Sequence, residues 1–323
     1  MAAQRKIIID TDPGIDDAMA IFYALESPEL AVVGLTTVFG NATIETCTTN
    51  ALQLLEIAGR TDIPVAQGVG KPLVVEYRGA VPFVHGSDGQ GDVFLPPPSS
   101  QPVDIGAARF IVDAVMAAPG EITLVPLGPL TNIALAMSIE PSLMQHVAEV
   151  VLMGGNVFCT GNVTPAAEAN IINDPEAADI VFGAECPVVM AGLDVTEATV
   201  MSPGDLARIT TYDNPRARHL AAILPHYIEF NRSTGSEGGI PVHDSSTISY
   251  LVSPGSYQWV EHPIRVDCGD GVGRGATIPA VRGSFHETAW SHRRPTRILT
   301  GVDARAVIEL ELDRLGQVTL PTG

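Results

Sequence analysis

Through the first 200 residues of this chain, short aliphatic runs alternate with longer stretches of 3.6-residue apolar periodicity. That alternation is the signature of βαβ units around a mainly parallel sheet. The spacing predicts strands at 6–10, 30–38, 64–67, 122–127, 149–153 and 187–191. Most are apolar on both faces, as a strand buried between two helical layers must be. Ala18, Ile21, Phe22 and Leu25 make one apolar helical stripe, Ala51, Leu54, Leu55 and Ala58 a second, and Ile111, Ala114, Val115 and Ala118 a third. The expected fold is an α/β class, a Rossmann-like open sheet with helices on both faces. A mostly helical stretch follows at about 203–232, and residues 255–323 read as mixed strands ending in a short element. No fixed-period repeat or low-complexity linker interrupts the chain. One domain with insertions is therefore expected over residues 1–323, the longest insertion being the Gly/Pro-rich stretch 68–102.

Composition narrows the function. Thirty-seven acids against 18 bases give a net charge of −19, with no Lys/Arg run longer than Arg293-Arg294. Such a surface opposes phosphate backbones and anionic lipid, so neither nucleic acid nor membrane is an expected partner. With 46% apolar and 17% charged residues the chain is not a disordered one. Cys47, Cys159, Cys186 and Cys268 form no C-x-x-C pair and read as reduced thiols. Only Ile7, Ile8 and Ile9 follow Arg5-Lys6 before Asp10, too short a run for a signal-peptide core, and a cytoplasmic location is expected.

Asp10-Thr11-Asp12-Pro13-Gly14-Ile15-Asp16-Asp17 follows that first strand and opens the first helix. Four carboxylates thus gather at the carboxyl end of a parallel strand, where ligands of such sheets bind. They raise one another's pKa values unless a cation neutralises them. With no Cys or His in the loop, the cation expected is a hard, oxygen-loving one, Ca²⁺ or Mg²⁺. An EF-hand is excluded, since the fifth and twelfth positions from Asp10 are Gly14 and Ile21. A haloacid dehalogenase type of phosphatase would use Asp10 as nucleophile and Asp12 as acid/base, but needs a lysine against the phosphate, and Lys71 is the only downstream lysine. Gly271-Val272-Gly273 precedes no helical pattern, and no Walker A sequence occurs.

The acidic loop resembles the opening D-x-D-P-G-x-D-D of the inosine–uridine preferring nucleoside hydrolase family. The likeness continues through Thr36-Thr37-Val38-Phe39-Gly40-Asn41, His85-Gly86-Ser87-Asp88-Gly89, Leu127-Gly128-Pro129-Leu130-Thr131-Asn132, Met153-Gly154-Gly155, Gly161-Asn162-Val163-Thr164-Pro165, Glu168-Ala169-Asn170, Asp174-Pro175-Glu176-Ala177-Ala178 and His243-Asp244, covering about residues 6–252. The resemblance implies hydrolysis of the N-glycosidic bond of ribonucleosides by a Ca²⁺-bound water, with Asp12 as general base. It implies metal ligation by Asp12, Asp17, Asp244 and the backbone carbonyl of Leu127, and sugar contacts from Asp16, Asn41, Asn162, Glu168 and Asn170. It implies that His243 faces the base, where imidazolium could donate a proton to the leaving group. His85 and Asp88 occupy a glycine-rich loop suited to closing over substrate, and Tyr227 and Asn231, one helical turn apart, are candidates for the nucleobase wall. A homodimer or homotetramer is expected. Three positions depart from the usual family pattern: Leu127 for Thr, Ala169 for Phe and Ser245 for Pro. Leu127 matters little, since a carbonyl ligand asks little of its side chain, whereas Ala169 and Ser245 leave the base preference open. A calcium-dependent protein that binds nucleosides without cleaving them would share the metal and sugar ligands but need neither Asp12 as base nor His243.

Overall fold

The computed structural model describes residues 4–236, 238–282 and 288–317. Its strands, in chain order, are β1 (Arg5–Thr11), β2 (Leu30–Thr37), β3 (Val65–Gln67), β4 (Ile122–Pro126), β5 (Glu149–Met153), β6 (Val188–Ala191), β7 (Val200–Met201), β8 (Ile240–Pro241), β9 (Tyr257–His262), β10 (Ile264–Val266), β11 (Thr277–Pro279) and β12 (Thr296–Val302). Among the described residues, eight of them form one sheet in the order β3-β2-β1-β4-β5-β6-β12-β9. Every neighbouring pair is parallel except β12 with β9. The six predicted strands are all present, each end within one residue of its expected place.

The period-2 alternation of a strand divides the core in two. Ile7 and Ile9 of β1 face one side with Val125, Val151 and Val189, and the helices Ile15–Leu25, Ile44–Ile57, Pro215–Ser233, Ser245–Val252 and Ala304–Leu315 cover them. Ile8 faces the other side with Leu124, Val150 and Val188, under Ala107–Ala117, Thr131–Ile139 and Pro175–Val181. The helix Ile15–Leu25 is buried from Ile15 to Ala24, far beyond its single apolar stripe, because Pro215–Ser233, Ser245–Val252 and Ala304–Leu315 pack on its outer side. Asp16 and Asp17 in its first turn are therefore inside the protein.

From β1 the chain steps outward to β2 and β3, then returns to place β4 on the other flank of β1. The connections leaving β1 and β4 diverge there, opening a crevice at the carboxyl ends of these two strands. Asp12 follows one strand and Leu127-Gly128 the other.

The expected mostly helical stretch 203–232 is two helices, Pro203–Ile209 and Pro215–Ser233, the second begun where Asn214 caps Ala217 N and Pro215 starts a new first turn. The chain after residue 255 ends in a twelve-residue helix, Ala304–Leu315, rather than a short element, and its β9 and β12 complete the main sheet. Among the described residues no helix is long and apolar enough to cross a membrane.

Asp179, on Pro175–Val181, clamps this last part of the chain to the body. It accepts Arg265 in a two-bond fork at 2.8 and 3.0 Å, Arg293 Nη2 at 2.7 Å and the Val266 amide at 2.9 Å. Asp179→Ala would leave two largely covered guanidinium groups without their carboxylate. Discounted for their partial exposure, the expected loss is about 2 kcal/mol, read from urea unfolding midpoints.

Candidate active site

The first residue of the acidic loop serves the scaffold. The sheet register sets Asp10 beside Thr36 and Pro126. Its Oδ1 accepts Thr36 Oγ1 at 2.5 Å and Asn132 Nδ2 at 2.8 Å, while Asn132 also holds the Thr37 carbonyl at 2.8 Å. Burial pushes Asp10 up to about 7, against the two hydrogen bonds that lower it. A carboxyl so fixed between strands does not fit the phosphatase nucleophile, and Lys71 is exposed to solvent.

Asp12 and the helix acids converge at the crevice. Asp12 Oδ2 accepts the Asn41 amide at 2.7 Å, whereas its Oδ1 is buried without a partner. Gly40 and Gly128 flank this carboxylate so closely that a Cβ on either would collide with it. Asp17 Oδ1 accepts the Thr11 hydroxyl, and its Oδ2 accepts Gly14 N at 2.9 Å and Asn41 Nδ2 at 3.1 Å. Asp16 Oδ1 is a second buried oxygen without a hydrogen bond. Asp244 precedes the helix Ser245–Val252, and one oxygen each of Asp16, Asp17 and Asp244 lies within 4.8 Å of the others.

Burial is the first cause of every shift here. It pushes Asp16 up to about 6, and it raises Asp17 to about 6 with help from the Asp16 charge. Asp12 is driven well up by burial and then by Asp17, and Asp244 by burial and then by Asp17, Asp16 and Asp12. All the donors are oxygens, two are orphaned, and their charges repel. The set fits a hard divalent cation.

The other predicted residues fall into two groups. His85, Tyr227 and His243 surround the cluster. His85 Nδ1 accepts the Ile15 amide at 3.2 Å and lies 3.9 Å from Asp16 Oδ1, and its ring stacks on Tyr227 at 5.8 Å between centroids. His243 Nδ1 is 2.8 Å from Thr196 Oγ1. Burial pushes both histidines down to about 4, so at neutral pH His243 is an imidazole, where the sequence suggested an imidazolium. Asn170 Nδ2 donates to the Leu127 carbonyl at 2.5 Å and to Met153 O at 3.2 Å, leaving that carbonyl one lone pair for another partner.

The remaining residues are engaged locally. The buried Glu168 carboxylate accepts the amides of Asn170, Ile171 and Gly155, capping the helix Ala169–Asn173. Asn162 is exposed and accepts Ala169 N at 3.1 Å. Asn231 Nδ2 donates to the Tyr227 carbonyl at 2.9 Å. Asp88 organises its own loop by accepting the amides of Gln90, Asp92 and Phe94. Thr11, Asn132 and Thr196 were not singled out in the sequence. Thr11 and Asn132 stand inside motifs that carry the family resemblance, but nothing in the sequence marks Thr196.

With this geometry in view, comparison with known proteins is decisive. The family description "Inosine-uridine preferring nucleoside hydrolase" matches residues 7–309. The chain belongs to that nucleoside hydrolase family. It is 43% identical over 315 residues to "Probable uridine nucleosidase 2" of Arabidopsis thaliana, covering 97% of this chain and 98% of that protein. A solved "Plant nucleoside hydrolase - PpNRh1 enzyme" superposes with TM-score 0.95 at 38% identity, covering 98% of this chain and all of that one. A "Purine-Preferring Ribonucleoside Hydrolase from Gardnerella vaginalis" gives 0.90 at 32% identity, covering 97% and 98%. The protein is thus a nucleoside hydrolase, an enzyme acting on N-glycosyl bonds, with the family's single-domain α/β fold.

A methyl group added at Gly128 would collide with Asp12 Oδ1 and stand 2.9 Å from the buried Val38 side chain, so both would have to shift. Gly128→Ala should lower kcat for nucleoside hydrolysis by about a hundredfold, as a shift of about 1 Å within an active site does.

Proposed function

We propose that this nucleoside hydrolase acts on pyrimidine ribonucleosides, uridine foremost, with Asp12 as general base and Ca²⁺ as its metal. The observation that carries the reading is the buried, partnerless Oδ1 of Asp12 beside the convergent oxygens of Asp16, Asp17 and Asp244. An oxygen desolvated without a hydrogen bond is costly unless a cation, water or substrate proton meets it. Asp12, Asp17, Asp244 and the second lone pair of the Leu127 carbonyl would hold the ion. Calcium, when bound, would neutralise the acids and offer open positions for water and the ribose diol.

The chemistry then falls to the chain's own groups. Departure of the base leaves a ribosyl cation, which the surrounding carboxylates stabilise. Asp12 takes the proton of the attacking water through its partnerless Oδ1. Asp16, Asn41 and Asn170 supply hydrogen bonds to the sugar hydroxyls, the sugar role that the family resemblance gives to Glu168 and Asn162 as well. His243 Nδ1 lies 2.8 Å from Thr196 Oγ1, and the tautomer in which that hydroxyl donates would present an Nε2 proton to the departing base. Tyr227 on its His85 stack, and Asn231 behind it, form the nucleobase wall. Uridine is favoured over purine nucleosides because the plant relative named a uridine nucleosidase is 43% identical, against 32% for the purine-preferring structure. A cytoplasmic location, consistent with four unpaired cysteines, and assembly as a homodimer or homotetramer complete the reading.

The direct test is ribose release from uridine, cytidine, inosine and 2′-deoxyuridine, before and after chelation. Uridine should lead the ribonucleosides, chelation should abolish turnover and Ca²⁺ restore it. Deoxyuridine should be slower by about four orders of magnitude in kcat/KM, because loss of one hydroxyl leaves buried polar partners unmet. Equal rates on uridine and deoxyuridine would contradict the ribose geometry.

Asp12→Asn removes the base while keeping the shape. kcat should fall about a hundredfold or more in calcium-loaded protein. An unchanged kcat would take Asp12 out of the reaction.

A further inference from the structure

Gln90 is buried, and every polar atom of its side chain is engaged. Its Nε2 donates to the Gly14 carbonyl at 2.8 Å, with Gly89 O at 3.1 Å and Pro13 O at 3.3 Å. Its Oε1 lies 2.9 Å from Nε2 of His219, itself buried on the helix Pro215–Ser233. Because the amide nitrogen faces three carbonyls, the amide oxygen must face His219, and His219 must carry a proton on Nε2 to donate.

Two of the three carbonyls that Gln90 holds, those of Pro13 and Gly14, belong to the turn joining Asp12 to Asp16 and Asp17. Repulsion among these acids pushes that turn apart. Asn50 adds a second hold, its Nδ2 bridging Pro13 O and Asp88 O, both at 3.0 Å. The segment bearing Gln90 is itself fixed: Asp88 takes three of its amides, and Asp92 and Phe94 sit in the left-handed region at φ 61° and 52°, which non-glycine residues rarely adopt. An apolar side chain could fill the space of Gln90 without desolvating an amide, so what the amide adds is the fixed position of the Pro13-Gly14 turn.

We propose that Gln90 and His219 are a positioning pair that fixes the turn between Asp12 and Asp16, and so sets the spacing of the carboxylates that hold the cation. This rests on the cation reading given above. Neither side chain needs to touch metal or substrate. Loss of such outer support costs roughly 10–100-fold in metal affinity in metalloproteins generally.

The test is calorimetric titration of Ca²⁺ into chelator-treated full-length protein. Gln90→Leu and His219→Leu should weaken calcium binding by roughly 10–100-fold. His219→Gln keeps an N–H for Gln90 Oε1 and should bind calcium close to wild type. At saturating calcium the kcat of both leucine variants should return toward the wild-type value. A residue that merely supports the fold would lower the melting temperature and leave the calcium affinity of the folded protein unmoved, and that result would overturn the proposal. Should Gln90→Leu not fold, the His219→Leu and His219→Gln pair decides alone, equal affinities overturning it. Wild-type protein that binds no calcium would sink the cation reading together with this one, whereas calcium binding that is the same in wild type and variants would sink only this one.

Discussion

Mutual repulsion among buried carboxylates organises this molecule. Two unit charges 4.8 Å apart, the spacing within which the oxygens of Asp16, Asp17 and Asp244 lie, repel by about 3 kcal/mol at an effective dielectric constant of 20. Thr11, Gly14 and Asn41 blunt this by donating to Asp12 and Asp17. They leave Asp12 Oδ1 and Asp16 Oδ1 uncovered, so the protein alone does not complete the site. A cation would supply the charge that completes it, which is why the proposed function rests on one.

The scaffold makes that arrangement affordable by separating structural from reactive acids. Asp10, two residues before Asp12, is fixed between β1 and β2 by Thr36 and Asn132 and ties both strands to the helix Thr131–Ile139. Asp12 stands beyond the strand end, at the reversal of strand order, with glycines at 40 and 128 clearing space around it. Asp16 and Asp17 are carried inward because their helix is covered on both sides. Each acid owes its role to where the backbone stops being a strand and starts being a helix.

The parts legible in the sequence were those with a physical period or a chemical oddity. Continuous aliphatic runs marked the parallel strands, and four aspartates in one turn marked the cation site. Less legible were polar residues acting one contact away. Thr196 beneath His243 and Gln90 beneath the acidic turn have no spacing that distinguishes them from ordinary loop and helix-end residues, and become visible only when the fold brings them together. Asn214 ends one helical pattern and begins another through a single side-chain cap, a local event that averaged periodicity hides. Glu168 carried a family role in the sequence, yet its three amide contacts show a helix cap as well.

If burial and repulsion hold these acids protonated until a cation arrives, calcium binding must expel protons. Calorimetric titration of calcium at pH 6 in buffers of different ionisation enthalpy counts them. With Asp16 and Asp17 pushed up to about 6 and Asp12 and Asp244 raised further, the heats should differ between buffers and report release of about one proton or more per calcium, declining at higher pH. Identical heats in every buffer would mean the carboxylates are already ionised without the metal, and would contradict the claim that their repulsion defines the site.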